Sequence, residues 1–319
     1  MLSRLPKSTL VLLAFASVYL FWGSTYAAIH IAGEHLAVPV VSGARSLIST
    51  ALIVLICLSS GKSMRVPPGE WWKLVLIGLL FMSANNMLLT WGEQLMPSGF
   101  SSLVVSTMPI MIALLESAIP GGETLTVRGW LGTLVGTAGI LVLVWPSLHG
   151  AKLTPGESRP MLGTVVLLGA ALAFAIGSVL SRRFRFKADT LVATGWQIGA
   201  AGIFNSTLAL ATGGLRTAHW TRSGIAAIAY LSVFGSLFGL VAFTYLLQNV
   251  PVTKVATYAF VNPMIAVLLG ILIFHERLRP SESAGMAIIV CGVALVVLSR
   301  TARANREIVA TTGHPATGE

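Results

Sequence analysis

Arg45 and Glu116 stand out among the ionisable residues because each sits inside a long apolar run. An arginine at the centre of a hydrocarbon-depth helix costs about 2.5–3.5 kcal/mol on insertion scales. Such a side chain must snorkel, find an acid or meet an anionic ligand. Arg45 follows Pro39 by six residues, which places it toward one membrane interface. Its candidate partners are Glu34, Glu116 and the carboxylate of a substrate. Glu116 is read as the acid within the membrane, and Glu116 with His30 are the candidates for proton coupling. The six histidines, His30, His35, His149, His219, His275 and His314, are scattered. No mid-span carboxylate pair accompanies them, so neither a metal site, a cofactor nor an enzyme is expected.

Neutral polar side chains inside apolar runs must face protein or a cavity. That rule selects Trp22, Ser24, Thr25 and Tyr26 in the first run, Asn85 and Asn86 in the third, and Ser106 and Thr107 in the fourth. It also selects Ser178 in the sixth, Tyr245 in the eighth, and Tyr258 and Asn262 in the ninth. Trp22 offers a ring for stacking on a planar or cationic ligand. Trp91 and Trp145 stand at the ends of runs and read as interfacial anchors. Pro109 and Pro263 each remove a backbone hydrogen bond and kink a helix. Ser106, Thr107 and Asn262 are close enough in sequence to satisfy freed carbonyls. A kink bordering a substrate site and a purely structural kink both remain open.

The elements that carry these residues follow from composition. The chain has 319 residues, 55% hydrophobic and 10% charged, with a mean hydropathy of +0.83. Soluble domains carry about 25% charged residues, so the solvent of this chain is lipid. Ten apolar runs are bounded by charges and Pro/Gly clusters: 9–31, 39–58, 71–91, 99–119, 127–145, 161–181, 190–211, 224–247, 252–274 and 283–300. Each approaches the ~20 residues a spanning helix needs. The alternation of a transmembrane barrel is absent, which leaves helices. The first run exceeds the apolar core of a signal peptide and reads as a retained helix. Fourteen of the 21 Lys and Arg residues fall on one side of this layout and six on the other, with Arg45 inside a span. The bias places both termini in the cytoplasm. It also accounts for the net charge of +10 without nucleic acid. Cys57 and Cys291 lie in apolar runs and read as packing residues. A polar tail, 301–319, reads as disordered.

The sequence also matches itself. Gly23-Ser24 meets Gly177-Ser178, Pro97 meets Pro251, and Pro109 meets Pro263, all at an offset of 154. Glu123 meets Glu276, Gly132 meets Gly285 and Gly139 meets Gly292 at 153. Arg45 meets Gln197 at 152. The units are 9–145 and 161–300, joined by a loop over 146–160. Five spans per unit is an odd number, so the second copy enters the membrane from the opposite side. Inverted repeats of this kind are typical of secondary transporters, where exchanging the conformations of the halves turns one open state into the other. Glu123 and Glu276 open spans five and ten, where a carboxylate favours the helix dipole. Gly132/Gly136, Gly195/Gly199 and Gly235/Gly239 are small-xxx-small pairs expected to pack helices closely.

The hexapeptide Phe21-Trp22-Gly23-Ser24-Thr25-Tyr26, the duplicated prolines and the Glu123 and Glu276 turns resemble the drug/metabolite transporter superfamily, within it the ten-helix EamA-type carriers. The resemblance implies an all-α membrane protein of two inverted five-helix repeats. It further implies a central cavity lined by spans 1, 3, 4, 6, 8 and 9, with spans 5 and 10 peripheral. It implies a bacterial inner-membrane carrier that moves amino acids, other metabolites or drugs, often as an exporter. A small-molecule substrate and the bilayer are the expected partners, and the oligomeric state is not legible. Span six carries Ala175-Ile176 where span one carries Phe21-Trp22, so aromatic contacts are expected from one half alone. A passive channel and an intramembrane enzyme are the rival readings. Saturable counterflow separates a carrier from a channel.

Overall fold

The computed structural model describes residues 6–120, 125–148, 159–250, 255, 258–276 and 280–312. Among them the chain forms ten helical rods and no strand. They are α1 (Lys7–Gly33), α2 (Val38–Ser59), α3 (Trp71–Leu95), α4 (Ser98–Ala118), α5 (Val127–Leu148), α6 (Pro160–Phe184), α7 (Thr190–Ala211), α8 (Arg222–Asn249), α9 (Tyr258–Phe274) and α10 (Pro280–Thr312). Prolines near the first turns of α2 and α6 fix the helical φ where no N–H partner is needed. The Asp189 carboxylate caps α7 through Leu191 N, and Thr221 Oγ1 caps α8 through Gly224 N.

Polarity is distributed inside out. Leu12, Leu55, Leu134, Val165, Ile203 and Leu272 are exposed, while Ser42, Ser46, Ser49, Gln197, Asn205 and Ser236 are fully buried. A bundle in water would reverse this, so the solvent of the rods is hydrocarbon and their polar faces turn inward.

Helix pairing obeys the repeat. The contacts α2–α7, α5–α10 and α4–α9 join each helix to its own repeat mate. The contacts α1–α8 and α3–α6 exchange when the halves are swapped, as do α1–α9 and α4–α6. Together with the odd number of helices per half, this is the pattern of two inverted copies. The α5–α10 pair stands at the periphery. There a Cβ on Gly292 would meet the backbone of Gly136 at 2.4 Å, and one on Gly132 would meet Gly292 O at 2.7 Å. These glycines pack backbone on backbone, the arrangement that small-xxx-small pairs permit in lipid.

Three rods depart from α-helical winding where they surround the centre. π-helical turns occupy Val18–Trp22 in α1, Leu79–Asn85 in α3 and Leu231–Leu240 in α8. A π turn leaves carbonyls poorly satisfied, which hydrocarbon does not tolerate. Neighbouring side chains supply donors. Trp22 Nε1 donates to Gly235 O at 3.0 Å, Ser49 Oγ to Ser232 O at 2.9 Å and Asn205 Nδ2 to Met82 O at 2.9 Å. In α4 the break falls at Ser106-Thr107, just before Pro109, between Ser98–Val105 and Met108–Ala118. Ser106 Oγ donates to Leu103 O at 2.6 Å and Thr107 Oγ1 to Val104 O at 2.7 Å. Pro263 lies inside α9.

The rod ends are tied across the halves. The Glu276 carboxylate accepts from Ser98 N at 2.8 Å, Ser98 Oγ at 2.8 Å and Gly99 N at 3.1 Å. It thus caps α4, and His275 turns through a left-handed φ of 55° while Glu276 N returns to Gly270 O at the end of α9. Glu123 lies outside the described residues. At the opposite end Glu70 accepts from Lys187 N at 2.9 Å, and Lys62 bridges to Asp189 at 2.7 Å. Partial burial pushes the Asp189 carboxyl up, but the hydrogen bonds from Lys62 and Leu191 N outweigh it and hold the group below its ordinary range. The helical path of α10 continues to Thr312, where the sequence reading has a disordered tail from 301. The stretch 301–310 holds three Ala, two Arg and one Glu, all good helix formers. Most of the 146–160 connection lies outside the described residues.

Candidate functional site

A narrow chamber lies where the two halves meet. The first half contributes Trp22, Thr25, Tyr26 and Ile29 from α1, Arg45 from α2, Phe81, Met82, Asn85, Asn86 and Leu89 from α3, and Val105 and Met108 from α4. The second half contributes Phe174 from α6, Gly235 and Leu240 from α8, and Tyr258 and Asn262 from α9. About 70 Å³ is open to the centres of water molecules. At ~10–15 Å³ per water that is room for about five waters, well short of the ~300 Å³ of an ordinary ligand pocket. The chamber is therefore contracted around a small volume.

Its base is aromatic. The Trp22 ring lies 4.9 Å from that of Phe243 and 5.7 Å from those of Phe174 and Tyr258. Phe81 and Phe174 are 4.9 Å apart, and Phe174 and Phe243 5.2 Å. Five rings from five helices thus form one contact cluster on the side where α8 ends and α9 begins, with Phe243 packed behind the lining rings. This corrects the expectation that aromatic contacts come from one half. Phe81 belongs to the first half, but Phe174, Phe243 and Tyr258 belong to the second, and Phe174 immediately precedes the Ala175-Ile176 pair aligned with Phe21-Trp22. Gly239 and Gly235 of α8 make the space. A Cβ on Gly239 would meet Trp22 Nε1 at 2.2 Å, and one on Gly235 would meet Arg45 Nη2 at 3.0 Å. The α8 glycine pair therefore seats chamber side chains instead of forming a bare helix-packing face.

The polar wall is built from amides and one cation. Asn85 Nδ2 donates to Ala170 O at 3.0 Å across the half interface. Asn86 Oδ1 accepts from Arg45 Nη1 at 3.3 Å, and its Nδ2 faces Met82 Sδ at 3.2 Å. Asn262 Oδ1 is buried with no hydrogen-bond partner among the described residues. The Arg45 guanidinium is buried at 4% exposure, with Nε and Nη2 donating to Ser236 Oγ at 3.1 and 3.0 Å. It neither snorkels to an interface nor pairs with Glu34 or Glu116. Gly235 of α8 leaves room for it to lie across the bundle, so its helix position near Pro39 does not carry it outward.

The structure brings Trp22, Thr25, Tyr26, Arg45, Asn85, Asn86, Tyr258 and Asn262 together and leaves Ser24, Ser106, Thr107, Ser178, Tyr245 and Glu116 elsewhere. Ser24 bonds to Leu20 O and to the Tyr230 hydroxyl, on the α8 side of α1. Ser106 and Thr107 serve the α4 break, so their hydroxyls are occupied by backbone. Ser178 is buried against Phe174 O at 2.8 Å. Tyr245 is half-buried beyond the chamber. Glu116 lies away from the chamber at the far end of α4, 3.8 Å from Arg182 and 3.9 Å from Arg183 of α6. Nor is it the sole acid within the bundle. Glu93 of α3 has a side chain of 0% exposure, 3.8 Å from His30 Nδ1. Both its oxygens and His30 Nδ1 are without hydrogen-bond partners among the described residues. Sequence reasoning passed over Glu93 because Trp91-Gly92-Glu93-Gln94 reads as the end of a span. Phe81, Phe174, Met82 and Met108 were passed over because apolar residues in apolar helices carry no distinguishing signal.

The comparisons with known proteins agree with this architecture. The EamA-like transporter family matches residues 9–145 and again 161–298. The chain is 32% identical over 289 residues to a protein of Escherichia coli K12 named "uncharacterized inner membrane transporter YedA", covering 90% of each. It is 27% identical over 297 residues to the "uncharacterized transporter YvbV" of Bacillus subtilis 168, covering 92% of this chain and 93% of that one. A solved crystal structure, 20% identical, superposes with a TM-score of 0.67 over 93% of this chain and 99% of its own, and so shares the fold.

Proposed function

The chain belongs to the EamA-like transporter family, and we propose that it is a secondary transporter that exports small organic metabolites by alternating access. The observation that carries this reading is the contracted chamber between the halves, lined by residues of both repeats and holding polar groups at the bundle centre. A packed scaffold would fill that space with apolar side chains. The repeat units 9–145 and 161–300 are the bodies that rock against one another, with both termini in the cytoplasm and the bacterial inner membrane as the site. Trp22, Tyr26, Asn85, Asn86, Tyr258 and Asn262 are the substrate contacts. Pro109 and Pro263 give α4 and α9 the give they need to change shape around it.

Counterflow in proteoliposomes tests the reading. Vesicles preloaded with one pool of unlabelled metabolites should accumulate a labelled member of that pool transiently and saturably. Flux that rises linearly with concentration and shows no countertransport would identify a channel.

Proton coupling is assigned here to Glu93 with His30. Among the described residues the groups that act on the Glu93 carboxylate are His30 and Tyr26 from α1 and Glu276 from the turn after α9. None of them donates a hydrogen bond to it, so a proton is the simplest partner for a carboxylate that hydrocarbon and protein enclose. Glu116 already has two arginines and fits a fixed tie between α4 and α6. An imposed pH gradient should drive flux by the unmodified chain and by Glu116→Gln. Glu93→Gln should keep counterflow and lose the gradient response. A response retained in Glu93→Gln removes this residue from coupling.

A further inference from the structure

Arg45 is a buried cation that meets no acidic side chain among the described residues. It presents five N–H groups, three of which reach neutral oxygens, on Ser236 and Asn86. The acids whose side chains are described have other engagements. Glu34 sits 3.9 Å from His30 and His35, Glu93 faces His30, and Glu116 faces Arg182 and Arg183. Glu70, Asp189 and Glu276 are taken up by Lys187 N, Lys62 and the α4 N-terminus. A guanidinium at this depth is costly unless an anion meets it, and among the described residues that line the chamber Arg45 is the sole cation and no acid is present.

We propose that Arg45, held in place by Ser236 and Asn86, is the docking point for a carboxylate on the transported molecule, and that Asn262 Oδ1, which has no partner among the described residues, accepts a hydrogen bond from an N–H or O–H of the same molecule. This deepens the transport reading above and rests on it. The planar guanidinium fork matches a carboxylate in shape and keeps unused donors for it. Charge decides between anions. One cation in an apolar, contracted chamber neutralises a monocarboxylate, whereas a phosphate monoester would leave uncompensated negative charge in a medium that penalises it. The aromatic base formed by Trp22, Phe174 and Tyr258 suits an apolar or planar body on the acid. The carboxylate would then enter as the missing counterion, and the complex would cross the membrane with the chamber electrically neutral.

The test uses the full chain, purified in detergent and also reconstituted. Thermal stabilisation is measured with lactate, 3-phenyllactate, 4-hydroxybenzoate and indole-3-acetate, each against its own amide, and with inorganic phosphate. At least one acid should stabilise the unmodified chain where its amide does not. Arg45→Gln should weaken that acid about 10- to 100-fold, the range expected for losing a charge-assisted bond. Glutamine is the residue that the second half buries at the equivalent position, Gln197, so helix packing should tolerate it. Arg45→Lys keeps the charge without the fork and should give an intermediate loss. If Arg45→Gln does not yield folded protein, the Arg45→Lys series decides by the same comparison. Equal stabilisation by acids and amides, stabilisation by phosphate alone, no response to any acid, or an acid response indifferent to both variants would overturn the assignment. Acid binding that depends on Arg45 but is unaccompanied by counterflow would instead sink the transport reading and leave the docking point standing. Counterflow confined to neutral amides would do the reverse.

Discussion

Trp22→Ala is expected to lower carrier-mediated exchange by at least about tenfold and to destabilise the protein by roughly 3 kcal/mol. The stability figure follows from the solvent. In lipid there is no water-to-oil transfer term to lose on truncating a side chain, so the cavity term remains, about 24 cal/mol per Å³ of unfilled volume. Removing an indole from among Phe174, Phe243 and Tyr258 leaves a void on the order of 100 Å³ or more that these rings only partly refill. The orphaned Gly235 carbonyl in the π turn of α8 adds to the loss. The functional figure follows from three ring contacts at ~0.5–1.5 kcal/mol each, whose sum exceeds the 1.4 kcal/mol that corresponds to a tenfold change. Trp22→Phe separates the two effects. It keeps a ring in the cluster and gives up the indole N–H, so it should recover most of the stability and part of the exchange. Thermal unfolding and counterflow on the same preparations read both quantities. If Trp22→Ala exchanges within twofold of the unmodified chain, the aromatic base plays no part in occlusion.

The architecture was open to sequence reasoning for a simple reason: hydropathy and offset are properties of long stretches. The ten runs and the match of Pro109 to Pro263 survive errors of a few residues at each boundary. The rule that polar residues in a span must face protein also located Asn85, Asn86 and Asn262, which line the chamber. It failed where it needed a direction. A π turn inserts an extra residue per turn and rotates everything beyond it by about 100°. Nothing in Val18–Trp22 or Leu231–Leu240 announces such a turn, so the face on which Ser24 or Tyr245 would emerge could not be read. The distance from Pro39 points Arg45 toward an interface. The room for its guanidinium at the centre comes from Gly235, nearly two hundred residues away, which with Gly239 reads as an ordinary packing pair. Glu93 was missed for the complementary reason. Gly92, Glu93 and Gln94 at the end of a run look like a boundary, and the burial of the carboxylate is imposed by α1 and by the turn after α9.

The second large effect is structural and lies at the other end of the chain. Glu276→Ala is expected to destabilise the protein by about 3 kcal/mol or more, since hydrogen bonds to a charged group contribute ~1.5–3 kcal/mol each and this carboxylate accepts three. Two of the donors are the first N–H groups of α4, which have no intrahelical partner and meet the positive end of the helix dipole. The site is shaped for this acid. Gly270 and Gly99 leave the room its oxygens occupy, with a Cβ on either falling at 2.4 and 3.0 Å from Oε2. Glu276→Gln should lose less than alanine, because its carbonyl oxygen still accepts while its NH₂ faces donors. Thermal unfolding in detergent measures the series, and a change within 0.5 kcal/mol for alanine, the ordinary range of surface substitutions at about ±0.5, would show that the cap contributes nothing. The clamp also joins the second repeat to the helix that carries Val105 and Met108 of the chamber wall. An element that must move between two access states cannot be held equally in both by one carboxylate. If the bond forms in one state alone, removing it shifts the balance between states as well as the stability, and Glu276→Ala should then change the two directions of exchange unequally.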